Sequence, residues 1–338
     1  MAGIDMPEFP APEYIQLYPT LRCNQNCSFC FNSAGTGYGD MSREDAAKLL
    51  DTMEAQGIGE LDIMGGEPFL IPWMPDVIRD AAQRGIRVNA STNGSQITAL
   101  KDLQGISPGR LTVGISLEGS SPELHDHLTG AGNFGAAVTN LRWLASTGLD
   151  PLVKTVVSRK TAGDLQHIID LIRDIGVRRY YLIHMDIFNT DTLSGMAFSY
   201  PEFMRLSERI SAANTDIAVG SVTASCFNGS AASRNVRCTA GSRKIAVMPD
   251  GSVFPCNLFQ SFPEFRLGNI FSDSLSALMS HQLLAFFRTS AENRCSLKGC
   301  PNAENCTGGC PAHGYFHYRD LNAQDLRCRT GSHRERPR

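Results

Sequence analysis

Between residues 14 and 185 the chain alternates short β-rich segments with amphipathic helical ones, and that alternation limits the folds open to it. YIQLY (14–18) reads as a strand, and MSREDAAKLLDTMEAQG (41–57) as the helix after it. Ser42 is placed to cap that helix with Asp45 three residues on; Ala46, Leu49, Leu50 and Met53 form its apolar stripe, and Gly57 stops it. ELDIM (60–64), IRVNAS (86–91), LTVGISL (111–117), LVKTVV (152–157) and RRYYLIHM (178–185) are further strands. Helices fall at 73–85, near 96–103, at 133–148 and at 163–176, the last with Leu165, Ile168, Ile169 and Ile172 on one face before Gly176. Six strands separated by helices predict an α/β fold: a parallel sheet with right-handed crossovers, closed only in part as a TIM-like (β/α)6 barrel. Ligands of such sheets sit at the C-terminal ends of the strands.

The 11 cysteines are spread unevenly: three lie in residues 23–30, none in 31–225 and eight in 226–328. The N-terminus has no basic segment followed by an apolar run, so no secretory signal is read. No apolar run reaches the length of a membrane span, so no membrane partner is expected. A cytoplasmic location follows, where clustered cysteines hold metal more often than they form disulfides. With 31 Lys and Arg against 34 Asp and Glu, nucleic acid is not an expected partner.

At 338 residues the chain has room for about two domains. The expected division is an N-terminal segment (1–22), a barrel core (23–189), a connector (190–225) with a helix in PEFMRLSERISAAN, and a cysteine-rich domain (226–338). In the last, KIAVMPDGSVFPC (244–256) reads as a hairpin turning at Pro249-Asp250-Gly251, and SLSALMSHQLLAFF (274–287) as one helix. The Arg-rich tail reads as a solvated, disordered end.

The triplet Cys23-x3-Cys27-x2-Cys30 falls just after strand one, on the ligand-bearing rim. Three thiolates can hold three irons of a [4Fe–4S] cluster and leave the fourth open to a small molecule. A structural zinc site borrowing a distant fourth ligand is the alternative. MGGEPFL (64–70) follows strand two on the same rim. Its glycines would let a bound ligand approach the backbone, Glu67 offers a carboxylate to an ammonium group, and Pro68 fixes the turn; a plain Gly-Gly-x-Pro turn is the alternative.

Together, CNQNCSFC with the aromatic Phe29, GGEP and the partial (β/α)6 order resemble the radical S-adenosylmethionine (SAM) superfamily. The resemblance implies that Cys23, Cys27 and Cys30 bind a cluster whose open iron takes the amino and carboxylate groups of SAM. Gly65, Gly66 and Glu67 would then lie along the methionine moiety. STNG (91–94), with Asn93, and GISLEGSSPELHDHLTG (114–130), with Ser116, match further SAM-contacting stretches; Thr129 stands where that family often has Arg. The implied chemistry is one-electron cleavage of SAM to a 5′-deoxyadenosyl radical that takes hydrogen from an unactivated C–H bond. It requires an external one-electron reductant of flavodoxin or ferredoxin type. His125 and His127 are expected to be surface or structural residues, Trp73 and Trp143 core.

The C-terminal cysteines resemble the SPASM extension, which holds two auxiliary [4Fe–4S] clusters. By that resemblance Cys226, Cys238, Cys256 and Cys310 hold an inner cluster, and Cys295, Cys300, Cys306 and Cys328 an outer one, which with the triplet uses all 11. Four residues between Cys295 and Cys300, where two are common, depart from the pattern, and zinc knuckles are the alternative.

For the substrate, the expectation is a sugar- or nucleoside-type intermediate, tailored by dehydrogenation, epimerisation or C–C bond formation. It rests on the 22 residues before Cys23, too few for a peptide-recognition domain. A ribosomal-peptide maturase forming a thioether or C–C cross-link is the alternative. Sulfatase maturation is disfavoured because Asn257 follows Cys256 where an acid is usual, and a non-enzymatic iron–sulfur or zinc module leaves GGEP unexplained. His184 and Asp186, at the end of strand six, are the substrate-side candidates.

Overall fold

A computed structural model of the chain describes residues 10–34, 37–107, 109–149, 151–188, 195–227, 236–289, 302 and 304–328. The six expected strands lie within one residue of their sequence bounds: β1 (Tyr14–Leu17), β2 (Glu60–Ile63), β3 (Arg87–Thr92), β4 (Leu111–Ser116), β5 (Leu152–Val157) and β6 (Arg179–His184). They pair in parallel, in sequence order. Between them run α1 (Arg43–Ala55), α2 (Met74–Gln83), α3 (Ile97–Lys101), α4 (Pro122–Thr129), α5 (Asn133–Ser146) and α6 (Leu165–Ile175).

The local chemistry explains these bounds. Ser42 Oγ accepts the Asp45 N–H at 3.0 Å, and Gly57 leaves α1 at φ +68°, where a side chain would be strained. Along each strand alternate residues face the helices and are buried: Ile15 and Leu17, Leu61 and Ile63, Val88 and Ala90, Val113 and Ile115. They meet the buried stripes of α1 and α6, and this apolar layer stabilises the fold. Trp73 and Trp143 pack against it, as expected. The other face of the strands lines the barrel lumen; it is polar in β1 to β3 (Gln16, Asp62, Asn89, Ser91) and mixed in β5 and β6, where Val156 and Ile183 lie on it.

Three features differ from the sequence reading. Residues 190–225 hold more than a connecting helix: α7 (Tyr200–Ala213), capped by Ser199 and Glu202, leads into β7 (Ala218–Val222), which pairs in parallel with β6. AVGSV carries glycine, serine and largely exposed positions, so its strand signal is weak. The expected hairpin forms from β8 (Lys244–Val247) and β9 (Ser252–Phe254), with Gly251 at φ +80° in its turn. However, β8 also pairs in parallel with β1, so one ten-stranded sheet runs β10-β9-β8-β1-β2-β3-β4-β5-β6-β7, where β10 is Gly268–Asn269. The helix expected over 274–287 is broken into α8 (Leu275–Met279), a 3₁₀ turn and α9 (Ala285–Arg288). There His281 turns extended and its ring Nδ1 caps Leu283 N–H at 3.3 Å. A last helix, α10 (Pro311–Tyr318), starts at Cys310. The Arg-rich tail, expected to be solvated from Arg327 on, starts instead with Arg327 buried in the 3₁₀ turn Leu326–Cys328, and its remainder lies outside the described residues, among which no helix is long and apolar enough to cross a membrane.

Candidate active site

The cysteine triplet occupies the loop after β1, at the C-terminal rim of the sheet. Backbone hydrogen bonds pin it to the end of α4: Asn26 N–H donates to Thr129 O at 3.4 Å and Ser28 N–H to Leu128 O at 3.0 Å. Cys23 is exposed; Cys27 and Cys30 are half-buried. Burial pushes the Cys27 thiol up to about 12, with Glu118 and the other two cysteines adding negative charge nearby. Bare thiolates are therefore disfavoured in this loop, and a bound cation is what would hold them ionised.

The Gly65-Gly66-Glu67 turn lies directly against the chain that leads into Cys23. Gly66 N–H donates to Thr20 O at 2.9 Å and Glu67 N–H to Arg22 O at 2.8 Å. A Cβ on Gly66 would stand 1.9 Å from Arg22 O, and one on Gly65, at φ +135°, 2.4 Å from Thr20 O. The glycines, expected to admit a ligand, thus admit the backbone of the cysteine loop itself.

Glu67 also differs from expectation. Its carboxylate, foreseen as a partner for an ammonium group, is fully buried and already accepts three protein donors: Thr92 Oγ1 and Asn93 N, each at 2.8 Å, and Phe69 N at 3.1 Å. Burial raises its carboxyl to about 7 against the pull of those three bonds. Glu67 joins the ends of β2 and β3. Asn93 in turn faces the triplet: its Nδ2 donates to Asn24 Oδ1 at 2.8 Å and reaches Cys23 Sγ at 3.8 Å. Ser116 ends β4 on the lumen side, in register with Lys154 of β5. His125, buried, accepts the Glu118 N–H at 2.9 Å, a structural role as expected.

The lumen holds groups that sequence reading passed over. Lys154 crosses β4 at Gly114, where a Cβ would lie 2.4 Å from its Cε, and donates to Ser91 Oγ at 2.6 Å. Asn89 Nδ2 donates to Asp62 Oδ1 at 2.8 Å and to Glu60 Oε1 at 3.0 Å. Burial lowers Lys154 and raises Asp62. The available signal was the polar residue at every second position of ELDI and RVNAST, and the lone Lys154 within LVKTVV.

Neither substrate-side candidate reaches the lumen. His184 follows Tyr180 and Leu182 onto the helix side of β6, where it is buried, stacks on Phe203 with centroids 4.7 Å apart, and bonds Phe198 O through Nε2 at 2.9 Å. Burial, then Arg327, lowers its ring to about 4. Asp186 Oδ1 is held by Arg327 Nη1 at 2.7 Å and His313 Nε2 at 2.9 Å. Burial raises its carboxyl, but the Arg327 charge and the His313 hydrogen bond outweigh it and lower the carboxyl. Arg327 also grips Asp325, whose Oδ2 accepts Cys310 N–H at 3.1 Å, so Asp186 ties β6 to the cysteine-rich region.

In that region Cys226, Cys238, Cys256 and Cys310 are buried free thiols. Cys226 hydrogen-bonds with Cys238 and Cys310, which lowers both partners and raises Cys226 itself. Burial raises Cys256, the charges of Cys238 and Cys310 add to that, and Lys244 opposes it. Lys244 lies close by: burial opposes its charge, but Cys256, Tyr14, Cys238 and Asp62 raise its pKa. Among the described residues no three His, Cys, Asp or Glu side chains close on a point as a single metal ion requires. Of the outer set, Cys306 and Cys328 are half-buried, while Cys295 and Cys300 lie outside the described residues.

Two groups of thiols at these places are what the comparisons with known proteins reflect. The sequence matches the Radical SAM superfamily over residues 17–172 and the iron-sulfur cluster-binding SPASM domain over residues 238–310. The chain is a radical SAM enzyme with a C-terminal SPASM domain. SAM and [4Fe–4S] clusters follow from these two domains. The radical SAM enzyme is 27% identical over 318 residues to the antilisterial bacteriocin subtilosin biosynthesis protein AlbA of Bacillus subtilis, covering 91% of this chain and 69% of that protein. It is 25% identical over 340 residues to the PqqA peptide cyclase of Streptomyces rochei, covering 97% and 92%. Its fold matches Streptococcus suis SuiB bound to precursor peptide SuiA with a TM-score of 0.78, at 17% identity, over 96% of this chain and 76% of that one.

Proposed function

We propose that this enzyme matures a peptide, forming a thioether or C–C cross-link. The observation that carries the reading is similarity along more than nine-tenths of the chain to proteins whose names specify peptide cyclisation or bacteriocin biosynthesis. It shifts the balance from the sugar or nucleoside intermediate to the peptide. The shape of the barrel is compatible: β7 forms one edge of the sheet, and Tyr181 and Val222, at 38% and 43% exposure, offer apolar contacts there. Asn257 supports setting sulfatase maturation aside, since its amide, which accepts from Cys256 Sγ at 3.1 Å, is no carboxylate base.

In this reading Cys23, Cys27 and Cys30 hold the SAM-binding cluster. Cys226, Cys238, Cys256 and Cys310 hold the inner auxiliary cluster, and Cys295, Cys300, Cys306 and Cys328 the outer, for three [4Fe–4S] clusters in all. When bound and reduced by an external one-electron donor, the cofactor pair supplies a 5′-deoxyadenosyl radical that abstracts hydrogen from the substrate. The chain's own residues bind and orient. Glu67 locks the GGEP turn to β3, Asn93 holds the Cys23 loop, Ser116 offers a hydroxyl to SAM at the end of β4, and Lys154 is tied to Ser91 across Gly114.

The test is to incubate the anaerobically reconstituted enzyme with SAM, dithionite and synthetic peptides encoded by short reading frames beside its gene. Loss of two hydrogens from one peptide, with 5′-deoxyadenosine formed, supports the reading. Turnover of a sugar or nucleoside with every peptide left intact contradicts it.

A further inference from the structure

Gly65, Asn32 and Gln260 form a hydrogen-bonded line through three separate parts of the chain. Asn32 lies in the 3₁₀ turn Phe31–Ala34, immediately after Cys30, and its Nδ2 donates to Gly65 O at 2.8 Å. Gln260 follows the turn Asn257–Phe259 that begins at Cys256, and its Nε2 donates to Asn32 Oδ1 across 228 residues of sequence. The direction of this line is fixed chemically. A carbonyl only accepts, so Asn32 must turn its amide nitrogen to Gly65 and its oxygen to Gln260, which must then donate. Both side chains are more than nine-tenths buried, and Gln260 Oε1 has no partner. An amide buried with its own oxygen unpaired is costly, so its donor end must repay the burial.

We propose that Gln260 is a positioning residue of the SAM site: through Asn32 it fixes the Gly65 carbonyl, and so couples the seating of the Cys256 loop to affinity for SAM. This rests on the reading that the triplet and the Gly65–Glu67 turn form that site. The Gly65–Gly66 peptide plane is held from both ends, its N–H by Thr20 O at 2.9 Å and its carbonyl by Asn32 Nδ2 at 2.8 Å. Asn32 takes one lone pair of that carbonyl, leaving a second for the ammonium group of SAM. The SPASM region thereby acts on the radical site through a side chain.

The test compares Gln260→Ala and the similarly long Gln260→Met, which has no donor, with wild type. Iron content, equilibrium binding of SAM and the kinetics of 5′-deoxyadenosine formation are measured on each. Expected are full iron, about fivefold weaker SAM binding, a matching rise in KM for SAM, and an unchanged kcat at saturating SAM; fivefold is the size of one net hydrogen bond. The SAM-induced change in the electron paramagnetic resonance (EPR) spectrum of the reduced cluster should saturate at correspondingly higher SAM. Asn32→Ala with Gln260→Ala should bind SAM no worse than Asn32→Ala alone. Wild-type affinity in both Gln260 variants, independent effects in the double variant, or loss of iron in both Gln260 variants overturns the proposal. A wild-type protein that fails to bind SAM would instead overturn the reading of the site.

Discussion

The two cysteine groups of this enzyme are built to opposite designs. The triplet sits on a rim loop with Cys23 exposed, held by backbone bonds to α4 and by Asn93. The Cys226, Cys238, Cys256 and Cys310 group is sealed, each residue less than a tenth exposed, with Lys244 and the Arg327–Asp325 pair beside it. A site that exchanges a small molecule needs an approach; one that only stores or passes charge is better closed. The contrast teaches that the same side chain serves reactive and structural ends according to what surrounds it.

The largest expected effect breaks this contrast on its open side. Cys30→Ala should abolish 5′-deoxyadenosine formation, whereas Cys238→Ala should keep part of it and lose peptide product. Equal losses in the two variants would erase the distinction. Next is the seal. Arg327→Met leaves the buried Asp325 and the half-buried Asp186 without their cation, at a cost of about 3–5 kcal/mol. Iron should fall from about twelve per chain toward four, measured with a lowered Tm, as SPASM ligation fails before the triplet.

Glu67 supplies a test by pH. Its carboxyl is raised to about 7 in the fold, chiefly by burial, and is ordinary when unfolded, so the folded state binds the extra proton between those values. The stability this contributes is present at low pH and lost as pH rises through about 7, with a slope of up to ~1.4 kcal/mol per unit. The Tm advantage of wild type over Glu67→Gln should shrink from pH 5.5 to 7 and then level off. A pH-independent difference would mean that Glu67 is ionised throughout. The smallest effect is a control in the scaffold: Ser42→Ala should cost about 1 kcal/mol in thermal stability and leave iron and SAM cleavage unchanged.

How much could be read from the sequence follows the range of the interactions. The strands, the α1 cap and the α6 stripe were legible because their signals are local and periodic. The triplet was legible as a group because its three cysteines lie within eight residues on one loop. Glu67 was misread because its partners, Thr92 and Asn93, reach it only after β2 and β3 pair. His184 could have been placed correctly: strand period two puts it with Tyr180 and Leu182, on the helix side. The β8–β1 pairing and the Asn32–Gln260 bond join segments more than 200 residues apart, and no local pattern announces them. The lumen network of Asp62, Asn89, Ser91 and Lys154 lay in plain alternation but needed the barrel to bring it together.

The central claim is that three thiolates form an open, SAM-cleaving site while Cys226, Cys238, Cys256 and Cys310 form a closed one. Its most direct measurement is iron and 5′-deoxyadenosine on one anaerobically purified sample given SAM and dithionite. The expected result is about twelve irons per chain and 5′-deoxyadenosine formed, with cleavage lost in Cys30→Ala. A colourless, zinc-loaded protein that leaves SAM intact would contradict it.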